Sequence, residues 1–556
     1  MSTICALPKV SRCVLRLGTD GMRLICLLVA GLLAPSVAFA ASADARAAAM
    51  LAGDTSVTTW LAILPILVPM IGSGLCLMLR HRVTWQAPIA MVALLLATLF
   101  ALLLNGVVAA NGPLVMSAGN WLPPFGIVLT VDRLGALFVL ATCVVGLAGF
   151  FYARRDIDEE RTAFGFYTFY CLLIAGVCGT FSTGDIFNLY VWFEVFLVSS
   201  FGLLILGGER IQLDGAVKYG VLNLIATTIF LIAVGVLYGF TGTLNMADIR
   251  GVIAAMDSGP LATVAALFVM AFAMKAAAFP LHFWLPASYH TPRIVVAAVF
   301  AGLLTKVGIY SLLRVMIMIF GEKGAVYLPI LGWMGVATAI LGGLGALAQT
   351  NLRRMAAFLV VSGIGVMLIG FGLGTAAGLT GAVVYAIHSI LAMTGIFLAV
   401  GAAERLGGGL TIAGANIYAR SGLIAGLFLV FAFAAAGLPP FSGFWPKLML
   451  VQASLETAGA LGIAGVIGII LSGFLTTITA GKAWALTFLK PTDDGEIEGP
   501  SLQPGTRSAR AGILILAALV VLLGIVPQLV IEPAREGVAG LLDPSAYVTR
   551  VLVETH

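Results

Sequence analysis

Apolar runs long enough to cross a bilayer recur along almost the whole of this sequence. A spanning helix needs about 20 predominantly apolar residues. Runs of that order lie near 58–79, 86–109, 131–153, 163–182, 185–206, 218–240, 260–281, 293–319, 327–348, 355–375, 379–402, 421–456 (interrupted), 459–485 and 511–532. In hydrocarbon every backbone N–H and C=O must be satisfied within the protein, so runs of this length are helices. The composition agrees: of 556 residues 61% are hydrophobic and 10% charged, too few charges to clothe a soluble protein of this size. The expected fold class is an all-α polytopic membrane protein with about 14 transmembrane helices. The net charge of +5 reflects loop lysines and arginines on one membrane face, and no nucleic-acid partner is expected. There is no P-loop, dinucleotide fingerprint, haem motif or zinc spacing, so no cofactor and no metal are expected.

Against that background, charged residues inside the apolar runs stand out. In the stretch 272–314, Lys275 and Lys306 each lie within a run, and Pro280, Pro286, Pro292, His282 and His290 fall between them. A lysine in hydrocarbon is costly unless it faces other protein groups or water, so its default reading is functional. Pro280 has no N–H for the carbonyl of Ala276, one residue after Lys275. That leaves polar backbone beside a charge at membrane depth, an arrangement tolerated only within protein or at a wet cavity. Interrupted helices of this kind hold ion sites in transporters.

The fifth run, 185–206, carries Glu194 about 13 Å along the helix axis, deep enough to need a partner, and Lys275 is the expected one. The carboxylate favours a charged lysine and burial a neutral one, so a lysine balanced between them changes protonation when its partner moves. The bland alternative is a static ion pair, but a buried pair stabilises poorly compared with apolar packing. Lys306 has no carboxylate nearby in sequence and suits a relay. Lys447 follows a second break, Leu438-Pro439-Pro440, and the alternative for it is snorkelling to the interface. His388, within the eleventh run, is a relay candidate. His282 and His290 are as readily structural, and Asp185 reads as a helix N-cap.

The loops set an expected orientation. Arg80, Arg82, Arg154, Arg155, Arg161, Arg210, Arg353, Arg354, Arg405, Arg420, Lys482, Lys490, Arg507 and Arg510 fall on one side, with Arg250 and Lys323 as exceptions. The positive-inside rule makes that side cytoplasmic and places both termini outside. Residues 1–40 read as a targeting segment, with Arg23 before an apolar run that ends in an A-x-A-like site, Ala38-Phe39-Ala40. An uncleaved helix is the alternative. The stretch 272–286 also echoes 431–447, each with a small-residue helix end, a proline, then Phe-Trp and another proline. Two five-helix units, 163–319 and 327–485, would then be inverted repeats with interrupted helices 7 and 12, preceded by helices 1–3 over 58–153 and followed by a last helix at 511–532.

Five stretches carry a resemblance: TGDIFNLYVWFEV (183–195), GFTGTLNMADI (239–249), PLHFWLPASYHTP (280–292), FAGLLTKVGIYSLLR (300–314) and GLPPFSGFWPKLML (437–450). They resemble the D subunit of Mrp-type multisubunit Na+/H+ antiporters and, more broadly, the antiporter-like subunits of respiratory complex I. The resemblance implies a fourteen-helix core with two inverted repeats. It also implies Glu194 and Lys275 as an ion pair, Lys306 as the central relay, Lys447 as the second-half lysine, and partner subunits in the membrane. Some positions depart from the pattern: relatives often carry a lysine where Met393 stands, and a histidine or serine and a glutamine where Leu359 and Gly363 stand. The expected function is that of a transporter subunit, not an enzyme, in a bacterial inner membrane. It would conduct protons against Na+ or a similar cation through Glu194, Lys275, Lys306, His388 and Lys447. A redox-linked proton pump and a non-conducting structural subunit are the alternatives.

Overall fold

The apolar runs fold into helices that end where the sequence supplies caps, glycines or prolines. The computed structural model describes residues 56–123, 126–407, 416–490 and 506–552; the expected targeting segment lies outside them. In chain order the main helices are α1 (Leu64–Met78), α2 (Val83–Asn111), α3 (Arg133–Asp156), α4 (Phe166–Ser182), α5 (Ile186–Ile205), α6 (Arg210–Thr241), α7 (Ser258–Lys275), α8 (Ile294–Leu312), α9 (Leu328–Ala348), α10 (Leu352–Gly372), α11 (Ala376–Gly407), α12 (Gly422–Ala436), α13 (Ala460–Ala483), α14 (Thr506–Ile525) and α15 (Gln528–Leu542). Among the described residues ten helices are long and apolar enough to cross a membrane, while α1, α4, α7 and α12 are shorter apolar helices. Side-chain caps fix several starts. Asp132 accepts from the Gly135 N–H at 2.9 Å to begin α3, Asp185 from that of Asn188 at 2.7 Å to begin α5, and Asn351 from those of Arg353 and Arg354 to begin α10. Asp185 is therefore an N-cap, as read from the sequence.

The structure differs from the sequence reading in two elements. A short antiparallel hairpin, β1 (Leu114–Ser117) with β2 (Val128–Val131), links α2 to α3. The last apolar run, 511–532, is not one helix. Pro527 cannot donate to the carbonyl of Leu523, so α14 ends at Ile525 and the chain turns into α15, whose apolar stripe packs on α3 and α11.

The helices differ sharply in burial, and this positions the site. The most apolar stretches of α8 and α11 are wholly buried and that of α10 nearly so, whereas only a third of those of α2 and α14 is buried. The helix carrying Lys306 and the helix carrying His388 therefore form the inner axis of the chain and pack on each other. At one end of this axis the arginines expected in the cytoplasm are tied down. Arg353 pairs with Glu404 at 2.7 Å and donates to the carbonyl of Pro292, and Arg405 pairs with Asp156. Asp156 in turn accepts from the Val295 N–H at 2.9 Å. At the opposite end Arg314, fully buried, pairs with the α3 cap Asp132 and donates to the Tyr310 hydroxyl. Burying an ion pair is tolerated when further hydrogen bonds satisfy it, as they do for both Asp156 and Arg314.

Candidate functional site

The first broken helix sets out the chemistry. α7 ends at Lys275, and the chain passes through Ala277, a non-glycine residue at φ +60°, to a cis Phe279–Pro280 bond. The groups freed by the break find partners. The Ala278 N–H reaches back to the Ala273 carbonyl at 2.9 Å, the Phe279 N–H donates to Thr338 Oγ1 on α9 at 2.9 Å, and the Trp284 indole N–H donates to the Met274 carbonyl at 3.1 Å. Lys275 itself is buried, and its Nζ has no hydrogen-bond partner among the described residues. Nζ lies 4.9 Å from the Phe196 ring centroid and 5.6 Å from that of Phe193, both on α5, within cation–π range.

The expected contact ion pair between Glu194 and Lys275 is not formed. Glu194 is half-buried, with Tyr190 one turn before it as its neighbour, and its charge acts on Lys275 across a gap. The reason is the placement of α5. Phe193 and Phe196, close to Glu194 in sequence, turn their rings to the Lys275 Nζ, and the carboxylate stays beyond contact distance of it.

Lys306 is wholly enclosed in α8 and donates to the carbonyl of Ala301 at 2.7 Å on its own helix. His388 is buried in α11, and the charges of both Lys306 and Lys447 reach it. Its Nδ1 is 2.8 Å from the hydroxyl of Ser442, while Nε2 has no partner among the described residues. Ser442 lies in the second break, between the two helical pieces of the twelfth run, α12 and Phe444–Glu456.

The second break binds its own lysine. Pro439 and Pro440 cannot donate to the carbonyls of Ala435 and Ala436. Lys447 supplies the missing donor, its Nζ lying 2.9 Å from the first oxygen and 2.8 Å from the second. Lys447 is buried and does not snorkel to an interface. A small cavity of about 10 Å³, room for roughly one water, lies beside the break and is lined by His388, Ser442, Trp445, Pro527 and Val530 among others. It lies between the break and the α14–α15 elbow, and Lys447 is not in its lining.

The structure thus brings His388, Ser442 and the second break together, with His388 in electrostatic reach of Lys306 and Lys447, and keeps Glu194 apart from Lys275. Ser442, Thr338 and the hydrogen bond of the Trp284 indole escaped the sequence reading. Their only signal was position, since a serine or tryptophan beside a proline break has freed backbone groups within reach. His282 is half-buried with Nδ1 unpartnered among the described residues, and the His290 Nδ1 lies 3.0 Å from the Pro286 carbonyl.

Broken helices in an apolar bundle, with ammonium groups enclosed at the breaks and on the central helix, define a polytopic membrane protein of the ion-translocating class. The chain belongs to the family described as NADH:quinone oxidoreductase/Mrp antiporter, transmembrane, whose model matches residues 183–474. It is 36% identical to the D subunit of the Na(+)/H(+) antiporter of Alkalihalophilus pseudofirmus, over 89% of this chain and 99% of that one. It is 34% identical to the protein of the same name from Bacillus subtilis, over 88% and 99%. Among solved structures it superposes on a chain of the Mrp complex from Dietzia sp. with a TM-score of 0.82 at 28% identity, covering 90% of this chain and all of that one.

Proposed function

We propose that this chain is the proton-conducting subunit of a multisubunit monovalent cation/proton antiporter, with Na+ as the exchanged cation and other hydrophobic subunits as partners in the bilayer. The observation that carries the reading is the enclosure of three ammonium groups, Lys275, Lys306 and Lys447, in an apolar interior, with His388 buried within electrostatic reach of two of them. Structural lysines would gain more from the interface, where their charge is hydrated. In this reading Glu194 biases Lys275 through space, Lys306 links the two halves, and His388 passes protons to or from Lys447. A proton arriving at one site displaces the charge at the next, so the step is electrostatic and needs no cofactor.

The two five-helix units, 163–319 and 327–485, are read as inverted repeats, and the shared backbone pattern of the two breaks supports this. A count of fourteen spans requires the four shorter helices to cross as well. The arginine-rich end is placed in the cytoplasm of a bacterial inner membrane, with both mature termini outside. Cysteines introduced in the 154–161 and 353–354 loops should then react with impermeant reagents in inside-out vesicles only, and labelling from the outer face would reverse the topology. Sodium-driven proton movement in vesicles holding the complex tests the function. Lys306→Ala should abolish it with the complex still assembled, and wild-type antiport in that variant would refute conduction through this chain.

A further inference from the structure

The cavity beside His388 has a construction that the relay alone does not account for. Its wall is the elbow between α14 and α15, where Leu523, Pro527 and Val530 face Val384 and His388 of α11. The elbow is fastened to the break at two points. The Ser442 N–H donates to the Val520 carbonyl at 3.0 Å, and the Trp445 indole N–H donates to the Gly524 carbonyl at 2.8 Å. The second bond satisfies a carbonyl in the last turn of α14, where helix oxygens have no partner within the helix. Gly524 approaches so closely that a Cβ there would lie 1.9 Å from the Pro440 oxygen. The elbow lies at the opposite end of the bundle from Arg405, because α14 runs away from Arg507 and Arg510 and α11 runs toward Arg405. Inside, the one titratable group facing the cavity is His388, buried with Nε2 free of partners among the described residues and Nδ1 on Ser442.

We propose that this cavity is the outer access chamber of the second half, that Ser442 is the group through which His388 exchanges protons with it, and that the Trp445–Gly524 bond latches its wall. The proposal rests on the conduction reading above and deepens it. For inward movement, a hydronium ion in the chamber gives a proton to Ser442 Oγ and returns to water. Ser442 gives its own hydroxyl proton to Nδ1, and the ring releases the Nε2 proton inward toward the lysines. Serine and imidazole end neutral, one proton has moved, and the ring, left as the Nδ1–H tautomer, returns to the Nε2–H form when a water gives a proton to Nε2 and takes one from Nδ1. Ser442 supplies an oxygen that both donates and accepts, which the apolar lining of Val384, Leu523 and Val530 does not.

The test uses the assembled complex in vesicles and has two arms. In the first, Val384→Cys is treated with a small membrane-impermeant thiosulfonate and compared with the native chain. Labelling is expected only from the face opposite Arg405, and faster when Trp445→Phe removes the indole donor but keeps an aromatic ring. No labelling from that face in either background, or labelling from the Arg405 face, overturns the chamber. In the second, Ser442→Ala should lower antiport by about 100-fold, the low end for a lost proton-transfer group, and Ser442→Thr, which keeps the hydroxyl, should restore it. Undiminished antiport in Ser442→Ala with an inactive Lys306→Ala overturns the role of Ser442 and leaves the conduction reading standing. Wild-type antiport in both overturns the conduction reading and this proposal with it.

Discussion

In the first broken helix the lysine comes before the break, and in the second it comes after, and this ordering decides how each is held. The two backbones match with a constant offset. Ala277 and Gly437 both take positive φ, at +60° and +88°, and cis bonds precede Pro280 and Pro440. The Ala278 N–H bonds to Ala273 as the Leu438 N–H bonds to Phe433, and Leu281 to Ala278 as Phe441 to Leu438. In that register Lys275 corresponds to Ala435, His282 to Ser442 and Ala287 to Lys447. Side chains on a helix lean toward its N-terminus. A lysine in the last turn before a break therefore points away from it, and Lys275 leans back among the rings of Phe193 and Phe196. A lysine in the first turn after a break points into it, and Lys447 meets the two carbonyls that the prolines left bare. One ammonium is thus held loosely by ring faces and a distant carboxylate, the other firmly by backbone.

The largest effect expected from this contrast is on transport. Lys275→Ala, like Lys306→Ala, should lower sodium-driven proton movement by about 100-fold or more, as removal of an essential proton-transfer group does. Glu194→Gln should lower it less, because Glu194 acts on Lys275 through space and not by contact. Vesicle antiport on assembled complexes measures all three. Equal losses for Glu194→Gln and Lys275→Ala would mean that the two side chains meet during transport.

Stability should separate the lysines in the opposite sense. Lys447→Met leaves the Ala435 and Ala436 carbonyls without a donor, at about 1–3 kcal/mol for each buried orphan. Lys275→Met removes a buried ammonium that has no hydrogen bond, and should leave stability unchanged or raise it. Thermal denaturation of the purified complex distinguishes them, and equal shifts would break the comparison.

Smaller effects test the supports of the first break. Thr338→Val deletes the acceptor of the Phe279 N–H and should cost about 1–3 kcal/mol, the penalty for one unsatisfied buried amide. At the positive-φ positions, Gly437→Ala adds a Cβ 2.5 Å from Lys447 Cδ and should destabilise by about 1–3 kcal/mol. The reciprocal Ala277→Gly relieves a left-handed alanine and should gain up to about 1 kcal/mol. A loss on Ala277→Gly would show that the Ala277 methyl packs well enough to outweigh its backbone cost. The same denaturation measurement reads all three variants.

What the sequence displayed and what it hid follow from physical contrast. Lys275, Lys306, Lys447 and His388 were visible because a charge or an imidazole within an apolar run is anomalous there. Glu194 was visible for the same reason, but its direction was not, since that depends on how α5 turns against α7. Ser442 and Thr338 raise no such contrast, because hydroxyls are common in membrane helices and act here only through the backbone and imidazole groups that the fold brings to them. The echo between the breaks was legible through its Phe-Trp pairs, yet those pairs lie one residue out of the structural register. Bulky residues catch the eye, while Ala277 and Gly437, which fix the turn, do not. The α14–α15 elbow was hidden by apolar residues continuing through Pro527, although the proline itself marked the end of the helix.

The smallest expected effect lies in the second half, at Met393. This residue is buried on α11, a little over one turn beyond His388. Its thioether is a weak acceptor and no donor, so it cannot carry a proton. His388 has its own route out of the apolar interior through Ser442, 2.8 Å away, and Lys447 is held by backbone oxygens independently of Met393. Met393→Leu keeps volume and apolarity, so it should cost less than about 1.5 kcal/mol and leave antiport within about twofold of the parent chain, since no proton-carrying group is lost. Parallel vesicle assays of Met393→Leu and His388→Ala make the test, with the histidine variant expected to be strongly impaired. If Met393→Leu were as inactive as His388→Ala, the second half would depend on how α11 packs around Met393. The contrast between a loosely held Lys275 and a firmly held Lys447 would then have to include the helix between them.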